Sequence, residues 1–462
     1  MLKRSEISVD PSSYVDPQGF LFHHDGQIYR CIRAEARDLF DQLTKSGHLA
    51  RLEREFDLVA TTATDLQIEG ERDALIVSHP RIEPLSYCAE WPASMLWEAA
   101  RVTLDLAIEL ADHDLILQDA YPWNILFDGS RCVFVDLTSI ASPDLSALWP
   151  AHEQYESYFS RPLTLMNEGK GNAARALLTN NIQGIDLETF TTMASAATLL
   201  RRPGLLLSRA IEKKLQASQA LKTKAQDMAL KAATQTKPEI RRKFLTRLRK
   251  QLTPLRRTPK GDCWTHYYED INTAFDKQAK LNIVGRLLDE HAGASVLDLG
   301  CNTGVFSMEA AKRGARVISI DASESCINLL FETARTQELK ITPLVADIAC
   351  PTHTGGFMAT QYAPLFERVK SDTVMCLGLM HHLHINARQS FERIATLMSE
   401  VCTSTLIFEF VALDDDNISL LSGLRKIDYS LDSVRDELGV HFTSIETHDS
   451  DRPTRKILLC KK

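Results

Sequence analysis

No stretch of this chain approaches the roughly eighteen consecutive apolar residues of a membrane-spanning helix, so no membrane partner is expected. The amino terminus, Met1-Leu-Lys-Arg-Ser-Glu6, has basic residues without the apolar core of a signal peptide. Cysteine is sparse, with ten residues, no CxxC pair and no zinc spacing. Cys132, Cys376 and Cys402 fall inside apolar runs, where a reduced thiol behaves as a small hydrophobe. This usage suits a reducing, cytoplasmic setting. The GxGxxG dinucleotide pattern is also missing. What remains is the composition of a soluble globular protein, 44% hydrophobic and 25% charged over 462 residues, enough for two or three domains.

The most informative stretch is Ser295-Val-Leu-Asp-Leu-Gly-Cys-Asn-Thr-Gly304. An apolar strand reaches Asp298, a loop holds Gly300 and Gly304, and helical periodicity follows from Val305 to Arg313. A second strand, Ala315–Ile320, ends on Asp321, 23 residues after Asp298. Such a unit places a ligand where strand carboxyl ends meet a helix amino terminus. Glycine permits close backbone approach, free helix N–H groups suit a carboxylate, and an acid after the second strand suits two hydroxyls.

This unit resembles the S-adenosyl-L-methionine (SAM) site of class I methyltransferases. The resemblance implies that Asp298, Gly300, Asn302 and Gly304 form the methionine-side loop. Asp321 should then take the ribose hydroxyls, while Asp347 and Ile348 serve the adenine. Downstream, helix and strand alternate: helix 323–337, strand 341–346, strand 372–377, helix 386–402 and strand 404–411. Two late strands, near 440–445 and 455–460, complete a Rossmann-like, doubly wound α/β sheet. The fourth strand runs into Gly378-Leu-Met-His-His-Leu-His384. Methyl transfer is an in-line displacement that needs an aligned acceptor and a proton acceptor, for which His381 and His382 are the candidates. Packing against the next helix is the competing role for either ring. His382 and His384 lack a carboxylate partner, so no metal is expected. Glu409 and Asp414 would border the cleft and receive a substrate.

In the amino-terminal part, an Asp-Gly turn separates Phe20–Phe22 from Ile28–Ile32, a hairpin signal. Helices are expected over 34–46 and 94–110, with a strand at 74–77. The segment Leu115–Asp136 carries Asp119, Asn124 and Asp136, and resembles the catalytic loop and metal-binding acid of kinase-fold phosphotransferases. Lys3 and Lys45 are the only lysines in the first hundred residues, and neither lies on a strand that could supply the phosphate-pairing lysine. No glycine-rich phosphate loop precedes the segment. The resemblance therefore implies an α+β, kinase-like domain over 1–204 that selects substrate, with capping of a hairpin as the plain alternative for its acids.

Residues 205–260 form a basic helical connector. Between Ser208 and Lys260 there are sixteen Lys and Arg against three acids, in a chain of net charge −8. Two helices hinged at Pro238 are expected, pairing with acidic neighbours or presenting 209–260 to nucleic acid. The methyltransferase domain then covers 261–462. The strings DPQGFLF, LQDAYPWNILFDG, CVFVDLTSI, LGCNTGVFS, LMHHLHI and IFEFV resemble, in this order, a bacterial family of two-part nodulation-associated methyltransferases. The resulting expectation is a SAM-dependent methyltransferase acting on an O or N atom of a small-molecule or glycan-type acceptor. An RNA or protein methyltransferase guided by the connector, and a phosphotransferase or bifunctional enzyme using Asp119, Asn124 and Asp136, are the alternatives.

Overall fold

The computed structural model describes the chain except residues 11, 12, 14, 15, 144–147, 181–182, 234–236, 257–260, 262–263, 267–276, 360, 416–417 and 419–428. Five short amino-terminal strands, β1 (Ser8–Val9), β2 (Gly19–His24), β3 (Gln27–Ile32), β4 (Thr62–Ala63) and β5 (Leu75–His79), pair in the order β1-β2-β3-β5-β4. The expected hairpin joins β2 to β3. Asp25 and Gly26 both adopt positive φ, 48° and 74°, as a two-residue turn matched to strand twist requires. Helices α1 (Ala34–Lys45), α2 (His48–Glu55) and α3 (Ala93–Asp112) follow, and α3 is buried almost all round. Beyond it come β6 (Ile116–Leu117), the hairpin of β7 (Ile125–Asp128) and β8 (Arg131–Phe134), and β9 (Ile140–Ala141), which pairs with β6.

The connector departs from expectation. Among the described residues it holds three α-helices, α4 (Gly204–Ala217), α5 (Gln219–Ala233) and α6 (Pro238–Leu252), rather than two. The break between α4 and α5 comes at Ser218, which is extended. Pro238 opens α6, where its missing N–H is one no helix would use. This helix buries Arg241, Leu245, Leu248 and Leu252. Its arginines pair with the acidic face of α3, Arg249 with Asp105 at 2.7 Å and Arg242 with Asp112 at 2.6 Å.

The second sheet begins after α7 (Lys277–His291), whose expected start at 274 lies outside the described residues. Its elements are β10 (Ser295–Leu299), α8 (Val305–Lys312), β11 (Arg316–Asp321), α9 (Glu324–Thr336), β12 (Ile341–Val345), β13 (Ser371–Cys376), α10 (Phe391–Val401), β14 (Cys402–Val411), α11 (Leu431–Gly439), β15 (Ser444–Asp449) and β16 (Arg455–Lys461). The order is β12-β11-β10-β13-β14-β16-β15, parallel from β12 to β14, with β16 antiparallel to both neighbours. Strands covered on both faces explain the unbroken apolar runs of β10 and β12. Two boundaries needed correction. The strand expected near 440–445 starts at Ser444, because backbone bonds from Val440 to Glu437 and Phe442 to Leu438 close α11 first. The helix expected from 386 starts at Phe391, because 382–386 forms a separate π turn.

The two sheets share packing. One apolar cluster runs from Trp91 and Phe127 to Phe331 and Leu344, with the Phe127 and Phe331 rings 6.1 Å apart. The tip of the β7–β8 hairpin rests on the start of edge strand β12, where Thr342 Oγ1 donates to the Gly129 carbonyl at 3.4 Å. The Arg368 and Glu90 side chains, 3% and 1% exposed, form a two-pronged ion pair across the junction, which a carboxylate and a guanidinium do best. Arg368→Ala leaves Glu90 buried without its cation. We expect it to lower the unfolding free energy in a denaturant titration by about 3–5 kcal/mol. A loss below about 1 kcal/mol would show that this pair does not clamp the halves together.

Candidate active site

The loop after β10 is shaped by two left-handed glycines, Gly300 at φ 72° and Gly304 at φ 78°, with Asn302 at φ 52° between them. A Cβ on Gly304 would sit 2.3 Å from Leu330 Cδ1, so space as well as φ requires glycine there. Gly304 is the N-cap of α8 and supplies no side-chain cap. In the first turn of α8 the Ser307 N–H is taken by the buried Asp298 carboxylate. Asn302 stiffens the loop. Its Oδ1 accepts the Thr303 N–H, and its Nδ2 donates to the Trp264 carbonyl at 3.0 Å.

Asp321, half-buried at the end of β11, accepts the Asn302 N–H and the Ser323 N–H, each at 2.8 Å. The glycine loop and the acid are thus one unit. Asp347 lies exposed after β12 and accepts the Ala349 N–H at 2.9 Å, beside buried Ile348. A helix start whose N-cap glycine offers no side chain, a loop bent by two left-handed glycines, two strand-end acids and an apolar neighbour form a set that fits the carboxylate, ribose and adenine of SAM.

Asp298 is different. It is buried beneath the loop, where its Oδ2 accepts the Ser307 hydroxyl at 2.6 Å, and Ser307 in turn accepts from Ser319 at 2.8 Å. Burial pushes its carboxyl up to about 7. The sequence motif identifies this acid, but its contacts are with α8 and not with open space.

His381 and His382 follow β13, and their rings lie 4.2 Å apart. His381 is buried, its Nδ1 has no hydrogen-bond partner, and burial lowers it to about 3, with the neighbouring His382 adding to the effect. His382 is half-buried and is also lowered by burial. Its Nδ1 lies 3.2 Å from the Asn386 amide, and its ring meets Trp264 edge-on at 5.7 Å. Trp264 therefore touches both the glycine loop and His382, a link no motif announced. Tyr267 and Tyr268 of the same stretch lie outside the described residues. His384 is turned away, with Nδ1 on the Gln389 carbonyl at 2.9 Å and its ring stacked on Phe391.

One of the two expected substrate contacts needs revision. Glu409 does not face a cleft: its side chain is fully buried, with Oε2 2.7 Å from Lys280 Nζ and Oε1 accepting from Ser450. Lys280, 129 residues earlier, carries no motif that would have revealed the pair. Asp414 is exposed, Asp415 is buried against Arg455 at 2.9 Å, and Asp416 lies outside the described residues.

The amino-terminal acids also find partners. Asp136 Oδ1 pairs with Arg30 of β3 at 3.0 Å and accepts from Thr138 at 2.9 Å. Asp119 accepts from Gln154 Nε2 at 3.0 Å and is raised by burial first, with Asp136 and Asp16 adding charge repulsion. Asn124 closes the turn before β7, its backbone N–H on Tyr121 and its carbonyl taking the Val135 N–H. The described cysteines other than Cys350 are buried, and none is in a disulfide. Among the described residues no helix is long and apolar enough to cross a membrane.

A model of a methyltransferase domain matches residues 296–400, which span β10 to α10. Nodulation protein NoeA of Rhizobium meliloti (strain 1021) is 26% identical over 449 residues, 94% of this chain and 92% of its own length. A ubiquinone biosynthesis O-methyltransferase of Coxiella burnetii is 34% identical over 91 residues, 20% of this chain and 33% of that protein. A magnesium-protoporphyrin O-methyltransferase of Rhodobacter capsulatus is 40% identical over 70 residues, 15% of this chain and 31% of that protein. The chain is a SAM-dependent methyltransferase.

Asp298 gives a pH test of this site. Its folded-state value of about 7 lies above the ordinary carboxylate range, so folding retains a proton that the unfolded chain releases between about pH 4 and 7. The stability this supplies is complete below about pH 4 and is lost as pH rises through about 7. Denaturant titrations at pH 5 and pH 8 should show wild type losing more stability over this interval than Asp298→Asn. An equal loss in both proteins would mean that Asp298 is ionised throughout.

Proposed function

We propose that this enzyme methylates an oxygen or nitrogen of a small-molecule or glycan-type acceptor, with His382 removing the acceptor's proton. In this reading the Gly300–Gly304 loop and the start of α8 hold the carboxylate of SAM, Asp321 its ribose, and Asp347 with Ile348 its adenine. Asp298 is a positioning residue that fixes Ser307 under the loop. SAM supplies an electrophilic methyl group on a sulfonium. The chain's own task is to align the acceptor for in-line attack, keep water away and accept one proton.

The observation that carries the reading is the placement of His382. Its ring is held between Asn386 and Trp264, and Trp264 is itself bonded to Asn302 in the glycine loop. Asn386 Nδ2 donates to His382 Nδ1 at 3.2 Å, so Nδ1 accepts and Nε2 carries the proton, and taking the acceptor's proton at Nε2 requires the Asn386 amide to turn over and the tautomer to switch. Burial keeps the ring neutral at neutral pH, the state a base needs. His381, buried and lowered to about 3, is a far weaker base and is assigned to packing.

The amino-terminal part serves in this proposal as a kinase-like accessory that selects acceptor rather than transferring phosphate. The carboxylate that would hold magnesium, Asp136, is bound by Arg30 and Thr138. A nucleic-acid acceptor finds little support in α6, whose Arg241 is buried on the Leu148 carbonyl and whose Arg242 and Arg249 face acids of α3.

Two outcomes test the assignment. Asp321→Ala should abolish SAM binding in calorimetry, whereas His382→Ala should retain it and lose about 10²–10⁴-fold in kcat. In wild type kcat should fall only as pH drops through an apparent value below the usual histidine 6.5, because protonation removes the base. To identify the acceptor, methyl-labelled SAM is incubated with the enzyme and an extract fractionated into small molecules, RNA and protein. Label confined to RNA or protein would overturn the small-molecule reading, and a His382→Ala enzyme with wild-type kcat would overturn the base.

A further inference from the structure

The carboxyl-terminal end of α3 meets the first turn of α2 at a cluster that methyl transfer does not use. Glu109 and His113 stand four residues apart at the end of α3, and His48 opens α2 after the left-handed Gly47. His48 Nε2 and His113 Nε2 lie 3.4 and 3.3 Å from the same oxygen, Glu109 Oε1. The two imidazole rings face each other with centroids 3.9 Å apart. His48 and Glu109 are more than nine-tenths buried, and Glu109 Oε1 is shared by His48, His113 and Arg51. One donor atom from each of the three residues lies within 4.8 Å of the others.

We propose that His48, Glu109 and His113 bind a divalent transition-metal ion of the zinc class. The spacing supports it. Ligands about 2.0–2.1 Å from a tetrahedral ion stand about 3.4 Å from one another. The histidine–carboxylate separations of 3.4 and 3.3 Å are of that size before any ion is bound. Two imidazoles and one carboxylate favour zinc or its neighbours over magnesium or calcium, and the half-exposed His113 leaves a fourth position to water.

Arg51 stands against the site, with Nη1 2.8 Å from Glu109 Oε1. Its side chain is 44% exposed and also reaches Glu55, so it can withdraw from that oxygen. Its Nη2 lies 3.4 Å from Oε2, a contact that would remain as an outer partner orienting the carboxylate once Oε1 turns to the ion. The ion would tie α2 to the end of α3 on elements that carry none of the SAM loop. Its role is to brace the amino-terminal part.

The full chain, stripped with chelator, is titrated with zinc in calorimetry and with cobalt(II) as a spectroscopic probe. Wild type is expected to take up one ion per chain, to show the visible bands of a low-coordinate cobalt ion, and to melt higher with zinc. His113→Ala, at a half-exposed position, should fold and melt like the metal-free wild type and keep its methyl-transfer activity. It should bind zinc at least about a hundredfold more weakly, more than loss of an outer partner produces. No uptake by wild type, or equal affinity in wild type and His113→Ala, would overturn the site.

Discussion

Helix α9 is packed on two sides, and the rest of the molecule depends on that. Toward the second sheet, Leu330 fills the space in front of Gly304 so closely that only a hydrogen fits there. Toward the amino-terminal part, Asn328 Oδ1 accepts the Ser94 N–H, Glu324 pairs with Arg175, Phe331 meets Phe127, and Arg335 reaches Glu98. A residue that shapes the glycine loop and several that hold the halves together therefore lie on one element. Protein interiors transmit strain because they are close-packed, so a shift of α3 against α9 would be felt at Gly304.

The electrostatics of the second sheet follow from which buried charges found a partner. Glu409 has Lys280, Asp415 has Arg455, and Glu90 has Arg368 across the junction. Each pair cancels charge where water is absent, and losing one member would leave the other unpaired at high cost. Asp298 has the Ser307 hydroxyl and backbone N–H, and burial outweighs these bonds and the charge of Lys280 to raise its carboxyl. His381 sits near Arg455 and Lys280 and is pushed toward the neutral form, beyond what burial alone does. The same sheet edge thus yields an acid that holds its proton and a histidine that refuses one, with His382 between these extremes.

Much of this architecture is legible in sequence, because local pattern and fold agree there. The run from Ser295 to Gly304 specifies a strand, a left-handed loop and a helix start from ten neighbouring residues, and the structure builds all three. The Asp-Gly hairpin and the long helix α3 are equally local. What sequence reading misplaced involved partners far along the chain. Glu409 reads as a cleft acid until Lys280 is found beside it, and Asp136 reads as a metal ligand until Arg30 arrives from β3. Pro238 reads as a hinge because proline interrupts helices, yet at the first helical position it begins one. The His48, Glu109 and His113 cluster carries no recognisable spacing, since α2 and α3 are brought together only by packing.

The placement of the junction bears on what the amino-terminal part can do. Its contacts with the methyltransferase part include α9, Arg316 at the start of β11, which pairs with Glu83 at 2.9 Å, the start of β12, and residues 362–368, where Tyr362 stacks on Trp123 at 5.5 Å and meets Tyr87 edge-on. Residues 347–362 run from the proposed adenine acid to this aromatic contact, and the Ala363 N–H donates to the Tyr87 hydroxyl at 3.0 Å. His382 stands elsewhere, after β13, against Trp264. An accessory part attached beside β12 therefore acts first on the segment that follows Asp347. The proposed selection of an acceptor by the amino-terminal part would, in this arrangement, work through the order of that segment and of α9. It does not require a side chain from the first sheet to touch the reacting atoms.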